Sequence, residues 1–206
     1  MKSRDSFLKK IGLFGGSFDP PHLAHRSIAE HAVNQLELDM LHVLPTGTAW
    51  HKNTKPSLSS YRLEMTKLNF SDLPRTFIDD REIKREGPSF TIDTLNELSK
   101  QYMNASFFLI IGQDQAQSLE NWKNLDDILR LAIIVVAARG DTFGKLTSWT
   151  PPLAIQSRFK QLDIPVMGVS ATQIRMKIAG NQDVGSLVYE PVARYIEQYK
   201  IYQKNQ

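Results

Sequence analysis

The chain has 206 residues, enough for one well-buried core and too few for two, and with 41% hydrophobic and 23% charged residues it is composed like a globular protein, not a disordered one. Its formal charge of +3 suits a ligand with several phosphates but is too small and dispersed to argue for nucleic acid, and the absence of cysteine excludes disulfides, thiolate catalysis and cysteine-bound zinc. The first ten residues lack the apolar core of a secretion signal, and no apolar run nears the roughly 20 residues that span a bilayer, so the expected location is the cytoplasm, without membrane partners.

Short apolar runs alternate with helical patterns along the chain. Strands are expected at residues 10–14, 40–44, 76–78, 107–111 and 132–137, and helices at 27–36, 59–70, 91–103 and 125–131. Ser59 or Ser60 would cap the second helix, with Tyr61, Met65 and Leu68 on its apolar face, and Thr91 would open the third, with Ile92, Leu95 and Leu98. Residues 139–152 read as a long loop. The pattern resumes at 164–169 and continues with helices at 171–179, ended by Gly180, and 191–199, started by Pro191. Such alternation implies an α/β fold: one domain over residues 1–206, a doubly wound, mostly parallel sheet with helices on both faces.

Two junctions carry chemistry. At residues 15–25 the sequence reads GGSFDPPHLAH between the first strand and the first helix. Gly15 and Gly16 would allow positive φ and close approach of a ligand, and the helix start after them offers unpaired N–H groups to an anion. If the first helical turn covers residues 21–25, His22 and His25, three apart, share one face beside that anion. A glycine pair alone is a plain turn, and two histidines alone are surface polar groups; their coincidence where an α/β sheet binds ligands is what points to a site. The second junction, VSATQIR at residues 169–175, puts Ser170 at an N-cap with Arg175 about one turn further in, a second cradle for phosphate.

The first junction resembles the nucleotidyltransferase superfamily, whose signature is Gly-Gly-x-Phe-Asp-Pro-x-His-x-Gly-His; Gly15, Gly16, Phe18, Asp19, Pro20, His22 and His25 match it. Ala24 departs, standing where that family usually has glycine. The second resembles the superfamily's Ile-Ser-Ser/Ala-Thr-x-Ile-Arg motif in Ser170, Ala171, Thr172, Ile174 and Arg175, about 150 residues later and in the family's order. The resemblance implies a Rossmann-like nucleotidyltransferase fold.

Three segments between them narrow the choice. TGTAWHK at 46–52 supplies His51 and Lys52, two phosphate ligands or an exposed basic loop. REGPSFTIDTL at 85–95 brings Phe90 to a helix start at Thr91, and LIIGQDQAQSLENW at 109–122 ends a strand at Gly112 and carries Asp114 and Trp122. Phe90 and Trp122 could be core residues or could stack on a ring whose carboxylate meets helix-start N–H groups. All three segments resemble the nicotinate-nucleotide adenylyltransferase family. That resemblance implies adenylyl transfer from ATP to nicotinate mononucleotide, giving nicotinate adenine dinucleotide and pyrophosphate. His22, His25 and Arg175 would be catalytic; Gly15, Gly16, Ser17, Phe18, Asp114, Ser170 and Thr172 would bind ATP and its phosphates. His51, Lys52, Phe90, Thr91 and Trp122 would hold the mononucleotide. Phe90 stands where tyrosine is more frequent and Lys123 where histidine is common. Magnesium would come with ATP, since no carboxylate cluster forms a protein metal site. ATP and the mononucleotide are the implied partners, and a homo-oligomer is left open. The rival readings are another nucleotidyltransferase, with nicotinamide mononucleotide, phosphopantetheine or a phosphorylated alcohol as acceptor, and a nucleotide-binding regulator without catalysis.

Overall fold

The computed structural model describes residues 8–47, 56–137 and 150–203. Its centre is a six-stranded parallel sheet of β1 (Lys10–Gly16), β2 (Met40–Pro45), β3 (Thr76–Ile78), β4 (Ser106–Gly112), β5 (Ala132–Ala137) and β6 (Phe159–Leu162), in the order β3-β2-β1-β4-β5-β6. The chain builds outward from β1 in one direction and then from β4 in the other. The order therefore reverses between β1 and β4, and at such a switch point the carboxyl ends of the strands open a crevice that ligands use.

Alternation along β1 makes the two layers. Phe14 enters the core on one face with Ile28, Ala32 and Phe70, whereas Leu13 joins the other with Leu95, Leu98 and Ile128. Helices α1 (Leu23–Gln35), α2 (Ser59–Phe70), α4 (Thr91–Gln101) and α6 (Leu125–Leu131) supply these partners. A third cluster packs α7 (Ala171–Ala179) and α8 (Glu190–Gln198) onto Ala24 of α1 and Met65 of α2. Each aliphatic side chain buried in this way contributes about 1.5–3 kcal/mol.

Several expectations are corrected. The first helix starts at Leu23, not residue 27, because Ala24, Ile28 and Ala32 form one buried stripe at i, i+4 and i+8 that begins a turn earlier. Leu58, not Ser59 or Ser60, occupies the N-cap of α2, whereas α4 does open at Thr91, with Phe90 at its N-cap. Two short helices, α3 (Arg81–Lys84) and α5 (Gln113–Gln117), fall where no helix was expected, being too short to show periodicity. Residues 164–169 form no strand; the sixth strand is FKQL, with Lys160 and Gln161 exposed on a sheet edge. Gln35 ends it by bonding both the N–H and the carbonyl of Asp163. Of the long loop expected at 139–152, residues 139–149 lie outside the described residues.

Candidate active site

β1 delivers Gly15 and Gly16 to the crevice as its last two residues. Neither takes the positive φ expected of it; the left-handed residue is Phe18, at φ 46°. What Gly16 provides is space. A Cβ on Gly16 would lie 2.9 Å from the Phe18 ring, which is buried edge-on against Phe14 and Phe70. The ring of His25 meets Phe18 at 5.2 Å. His22 is the N-cap of α1 and His25 its third residue, and their imidazoles stack 3.7 Å apart, so both do share one face at the helix start. The His22 N–H donates to His25 Nδ1 at 3.2 Å, which leaves the proton of the neutral His25 ring on Nε2. The methyl of Ala24, where the family signature usually has glycine, is buried with Met65, Val169 and Ile174.

The second motif meets the first directly. Arg175 Nη1 donates to the Asp19 carbonyl at 2.8 Å, across 156 residues, and its Nη2 donates to Thr172 Oγ1 at 3.1 Å. Ser170 is the N-cap, accepting from the Gln173 N–H at 3.2 Å. Thr172 thus props the guanidinium.

Asp19 is the hub of this end. Its carboxylate accepts from the Ser57 N–H at 3.1 Å and from the Tyr202 hydroxyl at 2.6 Å. Burial and the Asp19 charge push the Tyr202 phenol well above its ordinary range, so it stays a donor. Arg62, 2% exposed, donates to the carbonyls of Ser17, Thr46, Gly47 and Ser57 at 2.6–3.3 Å. Burial pulls its guanidinium below the ordinary arginine range, and Asp19 opposes the shift. Arg62 and Tyr202 escaped the sequence reading. For Arg62 a signal existed: Arg62, Met65, Thr66 and Asn69 form the buried i, i+3, i+4, i+7 stripe of α2.

On the other side of Gly15 lies a cavity of about 410 Å3, lined by Phe90, Thr91, Trp122, Lys123 and Glu82, among others. Phe90 and Trp122, predicted as a ring site, do face one space. Lys123 Nζ sits 4.1 Å from the Phe90 centroid. Glu82, on the unexpected α3, accepts from Thr94 Oγ1 at 2.9 Å; burial drives its carboxyl above the usual range despite Thr94 and Arg85. α3 is itself fixed by Asp79, which accepts from His42 Nδ1 and Arg81 Nε at 2.8 Å each. Burial raises Asp79, and these two donors outweigh it, bringing its pKa to about 2.

Gly15, Phe90, Thr91 and Trp122 therefore line one cavity, while His22, His25, Ser170, Thr172 and Arg175 gather around the Asp19 turn with Gly16, Ser17 and Phe18. Asp114 lines neither; it is exposed in the first turn of α5, directly past the carboxyl end of β4. His51 and Lys52 lie outside the described residues. Among the described residues no three His, Asp or Glu side chains are grouped to hold a metal ion.

A switch-point crevice with a histidine pair at a helix start and an arginine from a late helix is the arrangement of a nucleotidyltransferase, and the family model described as cytidylyltransferase-like matches residues 13–177. The chain is 46% identical over 95% of its length to a probable nicotinate-nucleotide adenylyltransferase of Albidiferax ferrireducens, covering 99% of it, and 40% identical to one of Methylibium petroleiphilum, with 94% and 92% covered. Its fold matches the nicotinic acid mononucleotide adenylyltransferase of Plasmodium falciparum in complex with NaAD, with a TM-score of 0.78, 18% identity and coverage of 94% and 97%. The chain belongs to the nicotinate-nucleotide adenylyltransferase family within the cytidylyltransferase-like proteins.

Proposed function

We propose that this site transfers the adenylyl group of ATP to nicotinate mononucleotide, with the Asp19 turn holding the ATP phosphates and the Phe90–Trp122 cavity holding the pyridine ring. The observation that carries this division is the Arg175–Asp19 bond, which joins the two phosphate motifs, while Gly15 at the end of β1 lines the aromatic cavity. A phosphate oxygen of the mononucleotide attacks the α-phosphorus of ATP in line. One P–O bond forms, the α–β bridging bond breaks, and pyrophosphate leaves with the electron pair. The nucleophile is already anionic near pH 7, so no strong general base is required. What remains is positioning and neutralisation of charge growing on the bridging and leaving oxygens.

His22 and His25 would serve the α- and β-phosphates and Ser170 and Arg175 the leaving pyrophosphate. Gly16 and Ser17 would give the close backbone approach, with Phe18 as the packed support beneath. Asp114, past β4, would reach the adenosine ribose, and His51 with Lys52 would place the nucleophile. Magnesium would enter as part of the Mg·ATP substrate. A soluble, cytoplasmic setting fits both small substrates, and among the described residues no helix is long and apolar enough to cross a membrane. The test is pyrophosphate release from Mg·ATP with a panel of acceptors. Release with nicotinate mononucleotide, well above that with phosphopantetheine or a phosphorylated alcohol, is expected; release with none of them would favour a non-catalytic nucleotide binder.

A further inference from the structure

The aromatic cavity contains a charge arrangement that its aromatic walls do not explain. Among its described lining residues only Glu82 and Lys123 carry ionisable side chains. Glu82 is buried, and that burial raises its carboxyl although the Thr94 hydroxyl donates to it. Lys123 is exposed at the rim, and its ammonium rests on the face of Phe90. Thus the cavity combines one cation on a flexible stem with one buried carboxyl that already holds the Thr94 donor.

That cation occupies ring space. A pyridine ring entering to stack on the covered face of Phe90 must displace the Lys123 ammonium, giving up a cation–π contact that is worth about 0.5–1 kcal/mol at an exposed site. A ring bearing a carboxylate returns a stronger partner, because a charge-assisted pair at the partly desolvated rim replaces the quadrupole. A ring bearing a carboxamide returns only its neutral carbonyl oxygen as an acceptor, without the charge term, and its N–H donors find no acceptor on an ammonium.

From this displacement we infer that Lys123 is a specificity-determining residue of the acceptor site: it selects an anionic pyridine carboxylate over the neutral carboxamide, by pairing with the first and by resisting the second. The inference rests on the proposed function and names what sets its acid preference.

The test compares kcat/KM for nicotinate and nicotinamide mononucleotides, with Mg·ATP saturating, in the unaltered protein and in Lys123→Met, Lys123→Arg and Trp122→Ala. Because Lys123 is exposed, Lys123→Met keeps the fold, which its thermal midpoint checks. The acid-to-amide ratio is expected to fall about tenfold in Lys123→Met, chiefly through KM of the acid nucleotide, and to be largely restored by arginine. Trp122→Ala, which removes stacking surface and no charge, should weaken both nucleotides and keep the ratio. An unchanged ratio in Lys123→Met overturns the role of Lys123 and leaves the proposed function standing. Failure of the unaltered protein to turn over the acid nucleotide overturns the function and the inference together.

Discussion

The two halves of the crevice are built by opposite means. The Asp19 turn is held by fixed polar bonds: Arg175, Ser57 and Tyr202 converge on one residue, and Arg62 stitches together the carbonyls of the neighbouring loops. The Phe90–Trp122 cavity is held by apolar packing against the sheet, and its one cation rests on a ring face. The difference follows from the task. Phosphoryl chemistry is sensitive to small misplacements of the reacting oxygens, so its groups are preorganised, whereas an aromatic ring is bound by area and tolerates local adjustment. The bonds at the turn also come from chain segments far apart in sequence, so the ordered end of the site depends on the whole fold being formed.

The comparison breaks most severely at Arg62. Arg62→Met keeps much of the stem's packing and leaves the carbonyls of Ser17, Thr46, Gly47 and Ser57 without their buried donor. Breaking a buried charged network from one side costs about 3–5 kcal/mol, so the urea unfolding midpoint should drop sharply and turnover should fall with it. Arg62→Lys keeps the charge but reaches fewer acceptors and should lie between. A loss below about 1 kcal/mol in the methionine variant would show that the loops hold their positions without the guanidinium.

His25 should show the opposite profile, with a chemical effect and little structural one. Its Nδ1 accepts from the His22 N–H, so the neutral ring carries its proton on Nε2 and can serve only as a donor there. Removing one donor to charge that develops in the transition state lowers turnover by ~10² or more, about 3 kcal/mol. In His25→Ala, kcat should fall by that factor while the unfolding midpoint moves by under about 1 kcal/mol; an unchanged kcat takes His25 out of the chemistry.

The same contrast explains what could be read in the sequence. The inner strand Ala132–Ala137 was legible to the residue, since burial on both faces leaves a continuous apolar run that little else produces. The edge strand Phe159–Leu162 was not, because half its residues face water and carry no pattern. At the site, Phe90, Thr91 and Trp122 were grouped by their position after a strand and at a helix start, and they do line one cavity, whereas Gly15, expected with the phosphates, lines that cavity too. Asp19 was matched within the motif, but its role as a hub was invisible, since Tyr202 lies 183 residues away and its hydroxyl has no local signature. Positive φ was assigned to the glycine pair when the left-handed residue is Phe18, an aromatic held there by the packing that the small Gly16 permits. Polar bonds between distant segments leave almost no trace in composition or period.

A smaller effect sharpens the comparison from the cavity side, where one polar cluster does exist beneath the wall. Asp79 accepts from His42 and Arg81 and so fixes the start of α3, the helix that presents Glu82 to the cavity. Its pKa of about 2 lies below the unfolded 3.8, so its contribution is fully present above pH ~4 and is lost as pH falls toward 2. The shift corresponds to about 2 kcal/mol. Asp79→Asn lacks the charge at every pH. It should therefore be less stable than the unaltered protein by about that amount at pH 7, with the gap closing between pH 5 and pH 2 in a series of urea unfolding curves. Since His42 and Arg81 lie under the wall and not in the cavity, kcat at pH 7 should change less than twofold in the folded variant. A gap that stays constant down to pH 2 would mean that Asp79 holds α3 by shape alone, and that the cavity wall, unlike the Asp19 turn, owes nothing to charge.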